Sequence, residues 1–215
     1  MSQSETDRPV YWPRISVMDF LTFTESMQTS FSPDYPVPGL GLSDLNFVIN
    51  APLNYSSPTN GALATLYFDQ TNCSRALPVD AYQIKCSHRL NTHEFMKWAE
   101  QGIHMLTHPF MHVGIIGIDI KDLINILRAS ESKKLLLEII PYDGTLEVPW
   151  EQLQRFRFRN LFASLLTGHD LTMQMYADLG NALEHISPNV DCMRLAANCD
   201  ARNPPALMLL GELES

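Results

Sequence analysis

The 215-residue chain predicts a mixed α/β sandwich, a two-layer fold with a mixed sheet and helices mainly on one face. Three observations carry this. Apolar residues make up 45% of the chain, enough for a sizeable core. The second half alternates short apolar runs with stretches of helical period. The first half is punctuated by proline and serine and offers only short strands between turns.

Residues 1–14 read as a polar tail. Within 15–27, Val17, Phe20, Leu21 and Phe23 suggest a short amphipathic helix. Strands are expected at residues 45–50 and 62–68, with turn-rich segments at 30–41 and 51–61. Residues 15–90 are therefore expected to form a loop-rich β extension, and 91–215 an α/β domain. In the latter, Asn91 or Thr92 caps a helix with Glu94 in its first turn and Phe95, Trp98, Ala99, Ile103 and Leu106 on one face, ended by Pro109. A strand at 113–117 leads to Asp119, expected to cap a helix through Asp122, Leu123, Ile126 and Leu127. Strand 134–141, a turn at Tyr142-Asp143-Gly144, a short helix at 150–156 and strand 161–167 follow. Gly168-His169-Asp170 then turns into a helix over 172–186, and strands 190–197 and 206–213 close the chain around a turn at 200–204.

Charge and cysteine usage narrow the function classes. With 15 basic against 24 acidic residues, the net charge of −9 opposes broad phosphate-backbone binding, and the basic groups Lys133-Lys134 and Arg155-x-Arg157-x-Arg159 read as solvated faces. No nucleic-acid partner is expected. Cys73, Cys86, Cys192 and Cys199 lack Cys-x-x-Cys spacing and read as reduced, small apolar residues. The polar N-terminus lacks an apolar leader and no run is long enough to span a bilayer, so the expectation is a cytoplasmic protein without membrane insertion. In that setting the glycosylation-type triplets Asn54-Tyr55-Ser56 and Asn72-Cys73-Ser74 carry little weight. The ten methionines are expected to be core filler.

Motifs for nucleotide or metal chemistry are weak. Pro38-Gly39-Leu40-Gly41-Leu42 follows no strand and reads as a turn, so no nucleotide cofactor is expected. His104, His108 and His112 recur every four residues, but Pro109 should break the helix and leave only the first pair aligned, so no metal is expected. Gly168-His169-Asp170 has no nucleophile elbow beside it, and Asp170 is expected to cap the following helix.

Four landmarks, colinear over about 120 residues, carry a family resemblance. Gln101-Gly102-Ile103 resembles the Gln-Gly-Ile of the helix before the synergy loop of FtsZ. Gly117-Ile118-Asp119-Ile120-Lys121-Asp122 resembles that loop's Asn-x-Asp-x-x-Asp, with Gly117 in place of asparagine. Leu165-Leu166-Thr167-Gly168-His169-Asp170-Leu171 resembles a strand ending in Ile-Thr-Ala-Gly-x-Asp-Leu, and Leu179-Gly180-Asn181-Ala182-Leu183 resembles a Val-Gly-Asn-x-Ile helix.

From about residue 93 to 213 the chain thus resembles the C-terminal domain of the FtsZ/tubulin-like family, which implies a four-stranded mixed sheet packed on helices. The resemblance also maps onto Asp119 and Asp122 the carboxylates that reach the nucleotide of an adjacent subunit. Paired carboxylates can orient water beside a phosphate. The same residues also serve as an N-cap and a first-turn acid. No Gly-Gly-Gly-Thr-Gly-type loop occurs, and only about 90 residues precede the matching stretch, so GTP binding by this chain alone is not expected.

Two functional expectations follow. The first is a non-catalytic assembly module that docks Gly117, Asp119 and Asp122 onto a protein partner, which could be FtsZ, a subunit of another assembly or a second copy of itself. The second is a small cytoplasmic enzyme on a ferredoxin-like sandwich, with its site between the two halves and Asp119, Asp122, His112 or Asp170 as titratable groups.

Overall fold

The computed structural model describes residues 13–22, 24–28, 43–56, 61–112, 114, 116–142, 147–168 and 171–214. The strands are β1 (Ile15–Asp19), β2 (Thr24–Gln28), β3 (Leu45–Ile49), β4 (Ala64–Phe68), β5 (Ala81–Lys85), β6 (Lys134–Pro141), β7 (Phe158–Thr167), β8 (Cys192–Cys199) and β9 (Ala206–Leu213). The helices are α1 (Thr92–Met111), α2 (Ile120–Ala129), α3 (Trp150–Leu153) and α4 (Met173–Ile186).

Among the described residues, all nine strands join one sheet in the order β2-β1-β3-β4-β5-β6-β9-β7-β8. The expected four-stranded mixed sheet is its second half, β6-β9-β7-β8, in which β9 is antiparallel to β6 and β7, and β7 is parallel to β8. The sheet is larger than four strands because β1, β3, β4 and β5 run parallel and continue into β6 through the pairs Gln83↔Lys134, Ile84↔Leu135 and Lys85↔Leu136.

The described residues within 15–27 are not helical. Ile15 and Val17 face the core while Ser16 points to the opposite face, a period-2 pattern satisfied by pairing β1 in parallel with β3. Strand β5 gave no apolar signal because Gln83 interrupts it. Gln83 is nevertheless fully buried, since its amide donates to Asp69 Oδ2 at 2.7 Å.

Helices cover both faces. Helices α1 and α2 pack on the side bearing Phe47, Phe68, Leu137, Phe162, Met208 and Leu210. Leu179, Leu183 and Ile186 of α4 and Leu153 of α3 pack on the other side, over Leu161, Leu165, Leu207 and Leu209. Strands β7 and β9 are buried along almost their whole lengths, and a strand apolar on both sides needs a cover on both sides.

Among the described residues no helix covers that second face in the first half, and loop side chains pack on it. Val48, Tyr67 and Ala81 pack there with Phe20, Tyr55 and Leu77. A buried clamp holds the loops down. Arg75 donates through Nε and Nη2 to the two Asp69 carboxylate oxygens, both at 2.6 Å, and through Nη2 to Ala51 O at 2.9 Å, while lying 4.5 Å from the Tyr67 ring centre. Toward the other end of these strands, Ser16, Ser43, Asn46 and Thr65 bond one another across β1, β3 and β4.

Helix α1 crosses the join between the halves. Its start meets β4 through Phe68 and Trp98, ring centres 5.4 Å apart, and its end meets β7 through Phe110 and Phe162 at 6.0 Å. Trp98 Nε1 donates to Leu137 O at 3.2 Å. Between these points Gly102 lets helix and sheet touch, since a Cβ there would lie 3.2 Å from the Leu137 methyls and 3.3 Å from Phe68 Cε1.

Two outcomes are expected in equilibrium unfolding. Gly102→Leu forces the helix off the sheet and lowers stability by about 1–3 kcal/mol or more, while Gly102→Ala stays near wild type because its helix propensity gain offsets the crowding. Arg75→Met leaves the Asp69 carboxylate buried without its cation and lowers stability by about 3–5 kcal/mol.

Candidate functional site

The segment between α1 and α2 lies along the sheet's edge strand β8. Ile116 N–H donates to Ala197 O at 3.3 Å in a single bridge, and a Cβ on Gly114 would come within 2.8 Å of Asn198 Nδ2. This covers part of an edge that would otherwise present free backbone groups. Val113 and Ile115, within the expected strand at 113–117, lie outside the described residues.

Where this segment enters α2, Asp119 is the N-cap. Its Oδ1 accepts from Lys121 N at 2.7 Å and Asp122 N at 3.1 Å, and Asp122 Oδ2 accepts from Asp119 N at 3.1 Å, a reciprocal capping box. Asp122 Oδ1 also accepts from Arg194 Nε of β8 at 2.8 Å, tying the helix start to the edge strand. Gly117 and Asp119 are exposed, and nothing lies within 4 Å of where a Gly117 Cβ would sit. Both carboxylates are thus held rigidly, and Asp119 Oδ2 accepts no bond among the described residues.

Further back along α1, the helix does not stop at Pro109. It continues to Met111, with His112 N–H donating to His108 O at 3.0 Å. Proline inside a helix costs about 3 kcal/mol, and the burial of Met105, Leu106 and Phe110 offsets it. The three histidines therefore form a file, ring centres 5.3 Å apart for His104 and His108 and 4.3 Å for His108 and His112.

Facing the file is Asp200, at the end of β8, a residue for which the sequence offered no cue because it is distant in the chain. Its Oδ2 lies 3.7 Å from His104 Nε2 and 3.9 Å from His108 Nε2. Arg202 Nε donates to Oδ1 at 3.0 Å and Asn203 Nδ2 donates to Oδ2 at 2.8 Å, and the hydrogen bonds from Arg202 hold the Asp200 carboxyl well below the usual carboxylate range. Burial pushes His104 down, and burial with the neighbouring imidazoles pushes His108 down to about 4.

His169 and Asp170 lie outside the described residues. Asp119, Asp122 and His112 line neither of the two open grooves described. One, of about 690 Å³, is bordered by Glu147, Trp150, Asp178 and His185; the other, of about 530 Å³, by Gln70, Asn72, Arg89 and Asn91. The turn at 38–42 also lies outside the described residues. Within the basic stretch, Arg159 is paired with Glu131 at 2.9 Å and Asp191 at 3.1 Å, while Arg155 and Arg157 are exposed.

The depressed His108 gives the fold a pH dependence with a defined sign. Above the unfolded value of about 6.5 the imidazole is neutral in both states and contributes no slope. Between 6.5 and about 4 the unfolded chain takes up a proton that the fold refuses, so stability falls with pH, by on the order of 2 kcal/mol. Chemical denaturation across that window is expected to show this fall in the wild type and a shallower one in His108→Gln.

No family model matches the chain, and no curated protein matches it. Solved structures do. An FtsZ mutant from M. jannaschii superposes with a TM-score of 0.53 at 12% identity, covering 78% of this chain and 64% of that one. An empty FtsZ dimer from the same organism gives 0.53 at 11% identity, covering 78% and 62%. The chain spans somewhat under two thirds of these proteins. The covered share exceeds what residues 93–215 make up, so the likeness reaches into the first half. At these identities the comparison establishes an FtsZ/tubulin-like fold.

Proposed function

We propose that this chain is a non-catalytic interaction module that acts in or regulates a macromolecular assembly by docking the loop bearing Gly117, Asp119 and Asp122 onto a protein partner. The observation that carries the reading is the state of that loop. It is exposed at Gly117 and Asp119, yet fixed by the capping box and by Arg194, so little conformational entropy is lost on contact. A carboxylate oxygen of Asp119 is left for a cationic or hydrogen-bonding group of the partner.

The fold supports the choice of partner. One of the similar structures is described as an FtsZ dimer, and self-association or association with FtsZ filaments is the corresponding behaviour for a chain of this shape. Without a glycine-rich phosphate loop the chain would contribute an interface and no nucleotide, as a capping or regulatory subunit does. No described helix is long and apolar enough to cross a membrane.

The test is co-sedimentation with preformed FtsZ polymers, alongside sedimentation velocity of the chain alone. Gly117→Arg is the informative variant, because the open space around Gly117 lets the fold accept it while a docking surface would not. Wild type is expected to pellet with polymer or self-associate, and Gly117→Arg to lose at least about tenfold in affinity, or about 1.4 kcal/mol, with unchanged melting. Equal binding by both proteins would remove this loop from the function. Asp119→Ala is a weaker probe, since loss of the cap alone costs about 1 kcal/mol of stability.

A further inference from the structure

We propose that His104, His108 and Asp200 form a site for a divalent transition-metal ion of the zinc class. One ligand atom from each of the three residues lies within 4.8 Å of the other two, and Asp200 Oδ2 faces both His104 Nε2 and His108 Nε2. At 3.7 and 3.9 Å the imidazole–carboxylate separations are too long for hydrogen bonds. They are close to the roughly 3.3–3.5 Å between donor atoms that share one tetrahedral zinc with bonds of 2.0–2.2 Å. The two carboxylate distances exceed that spacing by only a few tenths of an ångström.

The surroundings fit. His108 is buried with 4% exposure, and its Nδ1 finds no hydrogen-bond partner among the described residues. The other ring nitrogen, Nε2, faces the Asp200 carboxylate at 3.9 Å, the side on which a cation would sit. Arg202 N and Nε donate to Asp200 Oδ1 at 3.0 Å and orient the carboxylate, as an outer hydrogen bond does for a ligating one, while Arg202 Nη2 reaches Oδ2 only at 3.5 Å. The Asn203 amide now stands between the acceptors, donating to Asp200 Oδ2 at 2.8 Å and lying 3.4 Å from His104 Nε2. Asn203 is exposed on a turn and can give way. His104 is 38% exposed, so water reaches the fourth position. Histidines four apart on one helix with a carboxylate from another element pin α1 to the turn after β8, and binding there stabilises the fold by linkage.

A second cluster, Cys86, His88 and Glu138, sets the control. Its carboxylate already accepts from Ser87 N at 2.5 Å and from the Cys86 thiol at 3.6 Å.

The experiment uses the untagged full chain, stripped with chelator, titrated with Zn²⁺ by calorimetry and with Co²⁺ by visible absorption. One equivalent is expected to bind, with four-coordinate cobalt bands and no thiolate-to-cobalt charge transfer. His104→Gln, at a half-exposed position that the fold tolerates, and Asp200→Asn are expected to weaken binding by more than about 100-fold, beyond the 10–100-fold typical of an outer partner. Cys86→Ser is expected to bind like wild type. Absence of binding, undiminished binding by both ligand variants with native melting, or a thiolate band abolished by Cys86→Ser would each overturn the assignment.

Discussion

The seat of helix α1 on the sheet is the constraint from which the rest of the structure follows. Parallel strands β5 and β6 need a long crossover, and α1 begins that crossover while lying over β4 at one end and β7 at the other. Gly102 sets the distance and Trp98 Nε1 fixes the position by bonding Leu137 O. If the helix were lifted by a side chain at 102, the core between the two halves would open. The histidine file and the segment leading to Asp119 would move as well, because both are carried by the helix or by the chain leaving its end.

Polar groups buried in the first half show how a helix-poor face is managed. Loops covering a sheet must satisfy their own backbone carbonyls. Arg75 does this for Ala51 and Pro52 while neutralising Asp69, which in turn accepts from Gln83. The second half relies instead on apolar packing against α3 and α4, and its strands β7 and β9 are buried on both sides. The two halves thus reach closure by different physical means within one sheet.

Much of the second half was legible in the sequence. The apolar runs of β6 and β9 matched their observed bounds, and Asp119 declared itself as a cap by its spacing to Asp122. What escaped reading depended on distant partners. Strand β1 looked helical until its pairing with β3 gave the Ile15/Ser16/Val17 alternation a meaning. Strand β5 was hidden by Gln83, polar in sequence and buried only because Asp69 meets it. Pro109 argued for a helix end, and buried neighbours overruled it. The pairing of His104 and His108 with Asp200 joins residues almost a hundred positions apart and has no local signal. The expected separation into residues 15–90 and 91–215 was drawn from a change in composition, whereas the hydrogen-bond ladder runs through it from β5 to β6.

The claim that α1 locks both halves into one unit is tested most directly by native-state hydrogen exchange. The slowest amides of β3 and β4 and those of β7 and β9 are expected to share one opening free energy, equal to that of global unfolding, and to respond together to denaturant. If β1, β3, β4 and β5 instead exchanged through a separate, lower-energy opening while β6–β9 stayed protected, the halves would be independent and α1 would belong to the second alone.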